Sequence, residues 1–425
     1  MERGCETYRT YVEILRRELV PALGCTEPIA VAYCAANARR VLGALPERME
    51  VLASGNIIKN VKSVVVPNTN GGRGIAVAAA AGALAGDPDA GLEVISNVTE
   101  EQKRALADYA LKTPVSVKAA DSEHLLDISV TAYAGGDSVR VRIAEEHTNI
   151  ILIEKNGETL LRKDCAAGEA DGDGPDYRLL TVAGIYDFAG TCELSDVRDI
   201  LRRQIDCNTA ISEEGLRGDY GANIGKTLLA SGSDLKTRAK ARAAAGSDAR
   251  MNGCEMPVVI NSGSGNQGIT ASIPVLTYAE ALGKGEEETL RALLVSNLVT
   301  LRVKSNIGRL SAYCGAVSAG AGAGAGIAYL CDGSLDAVEH TIVNALAITS
   351  GIVCDGAKSS CAAKIAVAVD AGIFGFEMYR NGQQFYGGDG LVVKGVEASI
   401  ESFGRLGREG MRETDREIIR MMTDC

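Results

Sequence analysis

The hydrophobic rhythm of the chain changes twice. Between residues 8 and 43 apolar side chains recur every three or four positions, the spacing that lines one face of a helix. Pro21 and Gly24 interrupt the pattern, and Pro28 stands where a second helix would start, a place that tolerates its missing N–H. Two helices are expected, TYRTYVEILRRELV and PIAVAYCAANARRVL. From Met49 an alternation of period two takes over. MEVLAS, VKSVVV, VSVKA, LDISVTAYA, VRVRIA and NIILIEK read as strands, with helices over 74–84 and 100–111. CAAGEADGDGPD (165–176) is polar, acidic and glycine-rich, a loop or domain boundary. Beyond it strand signals nearly vanish. Helical spacing covers 195–206, 224–245, 269–281, 286–304, 311–330, 335–354 and 360–372. The expected fold is α+β: an N-terminal helical segment (1–45), an α/β sheet domain (46–176) and a mainly helical domain (177–425).

Composition sharpens this picture. The chain has 425 residues, 49 of them glycine and none tryptophan, and only 4% are aromatic. Helices of such small residues pack closely, so SAGAGAGAGIAYL reads as a buried helix rather than a linker. The net charge of -11 argues against nucleic acid or an anionic membrane as partner. The opening MERGCETYRT has no apolar signal region, and the least polar window, 342–353, is too short to span a bilayer. A cytoplasmic protein is expected. Its twelve cysteines then read as free thiols, ligands or nucleophiles, and not as a disulfide framework.

Four stretches carry candidate chemistry. In VVINSGSGNQGITASIP an apolar run enters a loop containing Asn261, Ser262, Gly263, Ser264, Gly265 and Asn266, and a helix follows. Backbone N–H groups, small hydroxyls and a helix N-terminus make a carboxylate-binding loop. SGNIIKN offers a second polar turn with Asn56 and Lys59. In GCTEP, Cys25 stands just ahead of a helix N-terminus, a position that lowers a thiol pKa and yields a base, nucleophile or ligand. Cys34, mid-helix, reads as packing. Finally, Cys314, Cys354 and Cys361 are each flanked by Gly, Ala or Ser, the small neighbours that let backbone close around a cubane cluster. His147 follows a strand among polar residues and can reach a site, whereas His124 and His340 read as structural. Three histidines and no C-x-x-C pair give no zinc pattern. GANIGKT fails the phosphate-loop spacing because Tyr220 stands where a glycine is needed, and Lys226 reads as a first-turn helix residue.

GCTEPIAVAY, SGNIIKNVKSVVVPN, MNGCEMPVVINSGSGNQG, GRLSAYCGAVSAG and SGIVCDGAKSSCAAK together resemble the L-cysteine desulfidase family, which is related to the α chain of the iron–sulfur L-serine dehydratases. The resemblance implies a [4Fe-4S] cluster held by Cys314, Cys354 and Cys361, with one iron open to substrate. It makes Cys25 the proton acceptor, and it makes the 261–266 loop with Asn56 and Lys59 the substrate cradle. The implied reaction is β-elimination of L-cysteine to pyruvate, ammonia and sulfide. A homo-oligomer, a dimer, is the expected assembly. Cys425, at the chain end, matches a cysteine that fills the open iron in some serine dehydratases. The alternatives are an iron–sulfur L-serine dehydratase, a non-catalytic iron–sulfur redox sensor, and a pyridoxal-phosphate lyase, for which no Schiff-base lysine stands out.

Overall fold

The computed structural model describes residues 1–165 and 174–423. In chain order its elements are α1 (Glu6–Glu18), β1 (Pro21–Leu23), α2 (Thr26–Leu42), β2 (Arg48–Ala53), α3 (Gly55–Val61), α4 (Ile75–Ala85), α5 (Glu100–Lys112), β3 (Val115–Ala119), β4 (Asp127–Ala134), β5 (Asp137–Ala144), β6 (Ile150–Lys155) and β7 (Glu158–Arg162). Then follow α6 (Val182–Thr191), α7 (Arg198–Arg217), α8 (Ile224–Ser231), α9 (Leu235–Met251), β8 (Pro257–Val259), α10 (Gly265–Ala281) and α11 (Glu286–Ile307). The chain continues with α12 (Gly315–Cys331), α13 (Leu335–Thr349), α14 (Cys361–Arg380), α15 (Val396–Arg405) and α16 (Arg412–Thr423). The architecture is α+β with a helical C-terminal region.

One mixed sheet has the order β3-β2-β4-β5-β6-β7, parallel only between β2 and β3. Its period-two pattern buries one face: Met49, Val51, Ala53, Ile128, Val130, Ala132, Val139, Val141 and Ile143 lose essentially all exposure. α2 covers that face against β4 and β5. The N-terminal segment joins both halves. Tyr8 and Tyr11 meet Phe188 of α6 edge-on at 5.2 and 5.3 Å, and β1 pairs with β8.

Two local readings are corrected. VKSVVV is not a strand: its Val61 ends α3, and the rest is loop carrying a single bridge between Val65 and Arg73. SGNIIKN is helical, because Asn56, Ile57, Lys59, Asn60 and Val61 are all buried there, a stronger pull than turn propensity. The span 224–245 divides into α8 and α9 at Gly232, and residues 166–173 of the expected boundary loop lie outside the described residues.

The glycine-alanine run forms α12, buried along almost its whole length and packed among α10, α11, α13 and α14. A Cβ at Gly324 would stand 2.5 Å from the Gly372 carbonyl oxygen, and one at Gly320 would stand 2.4 Å from that of Ala368. Backbone thus lies on backbone between α12 and α14, and both helices begin at the site.

Candidate functional site

Four helices start at one cavity of about 110 Å³. Their N-caps are Cys25 for α2, Ser264 for α10, Cys314 for α12 and Ser360 for α14, and none of the four receives a side-chain capping hydrogen bond. Such a helix start carries a partial positive charge, although at α14 the Cys361 and Ala362 N–H groups already donate to the Lys358 and Ser359 carbonyls. Four of them around one space favour an anion there.

Cys25, Cys314, Cys354 and Cys361 all line this cavity. A short backbone pairing brings two of them together. The Cys314 N–H donates to the Ile352 carbonyl at 3.1 Å, the Cys354 N–H donates to the Ala312 carbonyl at 2.6 Å, and Tyr313 bridges Val353. Seven residues on, Cys361 opens α14 with its thiol 3.6 Å from the Gly356 carbonyl. Burial pushes the Cys314 thiol up, and the neighbouring Cys354 and Cys361 push it the same way. Burial likewise raises Cys361. Two distant segments, around Cys314 and around 354–361, have therefore placed three thiols within electrostatic reach of one another.

Cys25 stands ahead of α2 as expected, but its thiol is shifted in the opposite direction. It is 2% exposed, and burial raises it well above its usual value, helped by the Glu27 carboxylate and opposed by Arg250. Desolvation outweighs the helix N-terminus here. The thiol hydrogen-bonds Glu27 Oε2 at 3.0 Å, while Asn60 Nδ2 donates to Oε1 at 2.9 Å. Burial acts to raise Glu27, but His147, the Cys25 thiol and Arg250 outweigh it and hold the carboxyl below its ordinary range. His147 is buried with Nε2 unpartnered, and burial lowers its pKa.

The expected substrate residues separate into three groups. Ser264 and Asn266 line the cavity. Asn261 is fully buried, and its amide donates to the Asn297 carbonyl at 3.2 Å and to Asn297 Oδ1 at 3.0 Å. Ser262 and Gly263 take left-handed backbone conformations in a tight turn closed by Asn261 and Ser264, and Ser262 faces a second cavity of about 250 Å³. Gly265 packs against Arg250 and Val258, so its missing side chain serves packing as well as access. Asn56 and Lys59 line the first cavity, yet both are held by Asp415 of α16, through Asn56 Nδ2 at 2.8 Å and Lys59 Nζ at 2.6 Å.

Sequence reading missed Glu27, Arg250, Gln267 and Lys304, which also line the cavity. Glu27 sits inside the GCTEP motif and was within reach. Lys304 closes α11, where a lysine ordinarily marks a solvated helix end, but here it is 4% exposed and burial lowers its pKa to about 8 against the pull of Cys354 and Cys314. Nothing local distinguishes it. Among the other candidates, His124 contacts Glu145 at 2.6 Å, His340 stacks on Tyr379, and Cys34 is buried beneath the sheet. Cys425 lies outside the described residues.

The sequence pattern of the serine dehydratase alpha chain family matches residues 89–420. The chain belongs to that family. This member is thus a serine-dehydratase-like lyase. It is 56% identical over 424 residues to a UPF0597 protein of Desulfitobacterium hafniense, a match spanning 99% of this chain and 98% of that one. UPF0597 proteins of Lachnoclostridium phytofermentans and Finegoldia magna are 51% and 47% identical over 420 and 417 residues, covering 98% of this chain and 99% and 100% of theirs. Among the described residues, no helix of this family member is long and apolar enough to cross a membrane.

Among the described residues, no three His, Cys, Asp or Glu side chains close on a single metal-ion position. Cys314, Cys354 and Cys361 instead stand along the wall of a shared cavity, an arrangement suited to a body larger than one ion. The donor set is thiol-only, and the surrounding helix starts and Lys304 compensate negative charge. These residues fit an iron–sulfur cluster.

Proposed function

We propose that this lyase catalyses β-elimination of L-cysteine to pyruvate, ammonia and sulfide, with Cys314, Cys354 and Cys361 holding a [4Fe-4S] cluster. The observation that carries the reading is the convergence of four cysteines and four uncapped helix starts on one cavity. When bound, the cluster supplies a Lewis-acidic iron that draws electron density from the substrate's β-substituent.

The chain's own residues do the rest. Cys25 is the proton acceptor: in its thiolate form, which the nearby Arg250 guanidinium favours, it takes the Cα proton. Asn60 and His147 keep Glu27 a carboxylate, which accepts the Cys25 thiol hydrogen bond at 3.0 Å and orients the thiol. The pair left on Cα forms the double bond as the C–S bond breaks and sulfide departs. Aminoacrylate then tautomerises and hydrolyses to pyruvate and ammonia. Ser264 and Asn266, at the start of α10, position the substrate so that Cα faces Cys25.

A second reading, L-serine dehydration in the same cavity, is favoured by the family match itself. A thiol-rich site with a soft metal centre prefers a thiolate ligand to a hydroxyl, which supports cysteine over serine. The test is release of sulfide and pyruvate from L-cysteine beside pyruvate from L-serine, using anaerobically reconstituted protein. Faster turnover of cysteine is expected, and equal or faster turnover of serine would decide for the dehydratase.

A further inference from the structure

Arg250 is one of the largest buried side chains, only 2% exposed, and its guanidinium faces the thiol-lined cavity from the end of α9. Neither Nε nor Nη2 has a hydrogen-bond partner. Those two nitrogens form the side-on fork that matches a carboxylate. A buried guanidinium with an empty fork is expensive unless a ligand fills it.

Its surroundings lack partners in a complementary way. Asn266 Oδ1 and Gln267 Oε1, on the first turn of α10, are buried acceptors without donors, and both residues line the same cavity. Two free donors on a cation and two free amide oxygens are what a zwitterion needs at its two ends. The placement is built in. A Cβ at Gly265 would stand 2.3 Å from Arg250 Nε, and one at Gly315 would stand 2.7 Å from the Gln267 amide carbon. A side chain at either position would displace these groups from where they stand. The other cation expected to bind a carboxylate, Lys59, is already paired with Asp415.

We propose that Arg250 anchors the α-carboxylate of a free α-amino acid through Nε and Nη2, while the amide oxygens of Asn266 and Gln267 accept hydrogen bonds from its α-ammonium group. α-Amino acids unblocked at both ends are thereby preferred over their carboxyl esters, which bind without the fork. The assignment rests on the lyase reading only in identifying this ligand with the substrate.

The test uses calorimetric titration of the anaerobically prepared full chain with L-alanine, a zwitterion without a leaving group, and with propionate and ethylamine. L-Alanine binds and the two truncated compounds do not. Arg250→Gln weakens L-alanine binding about 10- to 100-fold, the loss expected for a charge-assisted fork. Arg250→Lys recovers little, because an ammonium cannot present the fork. In turnover, Arg250→Gln raises KM for L-cysteine by the same factor and leaves KM for L-cysteine methyl ester unchanged, a split that a merely structural arginine would not give. L-Alanine binding unaffected by Arg250→Gln overturns the proposal, as does an equal rise in KM for the ester. Should the variants fold poorly, propionate or ethylamine binding to the unaltered chain as tightly as L-alanine overturns it as well. Arg250-dependent L-alanine binding without turnover of cysteine or serine supports this subsite while defeating the lyase reading.

Discussion

Lys59 Nζ and Asp415 Oδ1 lie 2.6 Å apart, joining α3 beside the cavity to α16 near the chain's end. The lysine side chain is 1% exposed and the aspartate 11%, so the pair is desolvated. Removing one partner leaves a buried charge alone. Asp415→Ala should cost about 3–5 kcal/mol of stability in urea unfolding. The double variant Lys59→Met, Asp415→Leu should recover most of that loss, since two apolar groups leave no orphaned charge. A single variant as stable as the double would show that the pair contributes nothing.

Loss of any of Cys314, Cys354 or Cys361 should act differently from loss of Cys25. Serine at each of the first three positions should reduce bound iron and sulfide and abolish the broad visible absorbance of the reconstituted chain. Cys25→Ser should keep both and lower turnover by about 10²- to 10⁴-fold, the usual worth of a positioned base. Iron analysis of the four variants beside their rates separates ligand from base. A Cys25→Ser chain without iron would make Cys25 a fourth ligand.

Lys304 makes stability depend on pH in a definite direction. Burial holds it near about 8 in the folded chain against 10.5 ordinarily. Below pH 8 it is protonated in both states and burial penalises the folded one. Between 8 and 10.5 the folded chain sheds the proton while the unfolded chain keeps it, so the unfolded state binds more protons and stability rises with pH. Lys304→Met should therefore stabilise the cluster-free chain by about 3 kcal/mol at pH 7, an advantage that fades toward pH 10.5. Urea midpoints of both chains across that range measure it. A constant gap would contradict the assignment.

The contact between α12 and α14 tolerates no added atom. Gly324→Ala would place a methyl group 2.5 Å from the Gly372 carbonyl oxygen, which is backbone and cannot rotate away. The helices must separate, at a cost of about 1–3 kcal/mol or more. Because both helices begin at the cavity, iron retention on dialysis should fall together with the melting temperature. An exposed control, Gly283→Ala, is unsuitable because its backbone is left-handed, whereas Gly351→Ala meets no atom within 4 Å and should leave retention unchanged.

Much of this protein was readable along the chain, because period-two and helical spacing report directly on which face is buried. β2, β4 and β5 and most helices follow from that rule, and so does the burial of the glycine-alanine run as α12. The motifs also named the thiols that meet, since small neighbours around Cys314, Cys354 and Cys361 are a local signal. Where burial opposed local propensity, the chain gave no warning: SGNIIKNV became helix α3 because its side chains enter the core. The direction of the Cys25 shift was likewise decided by desolvation and by Glu27, quantities that exist only after packing. Arg250 and Lys304 resemble any charged residue at a helix end until α10, α12 and α14 close around them. Sequence thus determined most of the elements and singled out the thiols that line the cavity, through rules that act over a few residues. Tertiary structure alone decided which charges lost water and which lost partners, because both depend on neighbours tens or hundreds of positions away.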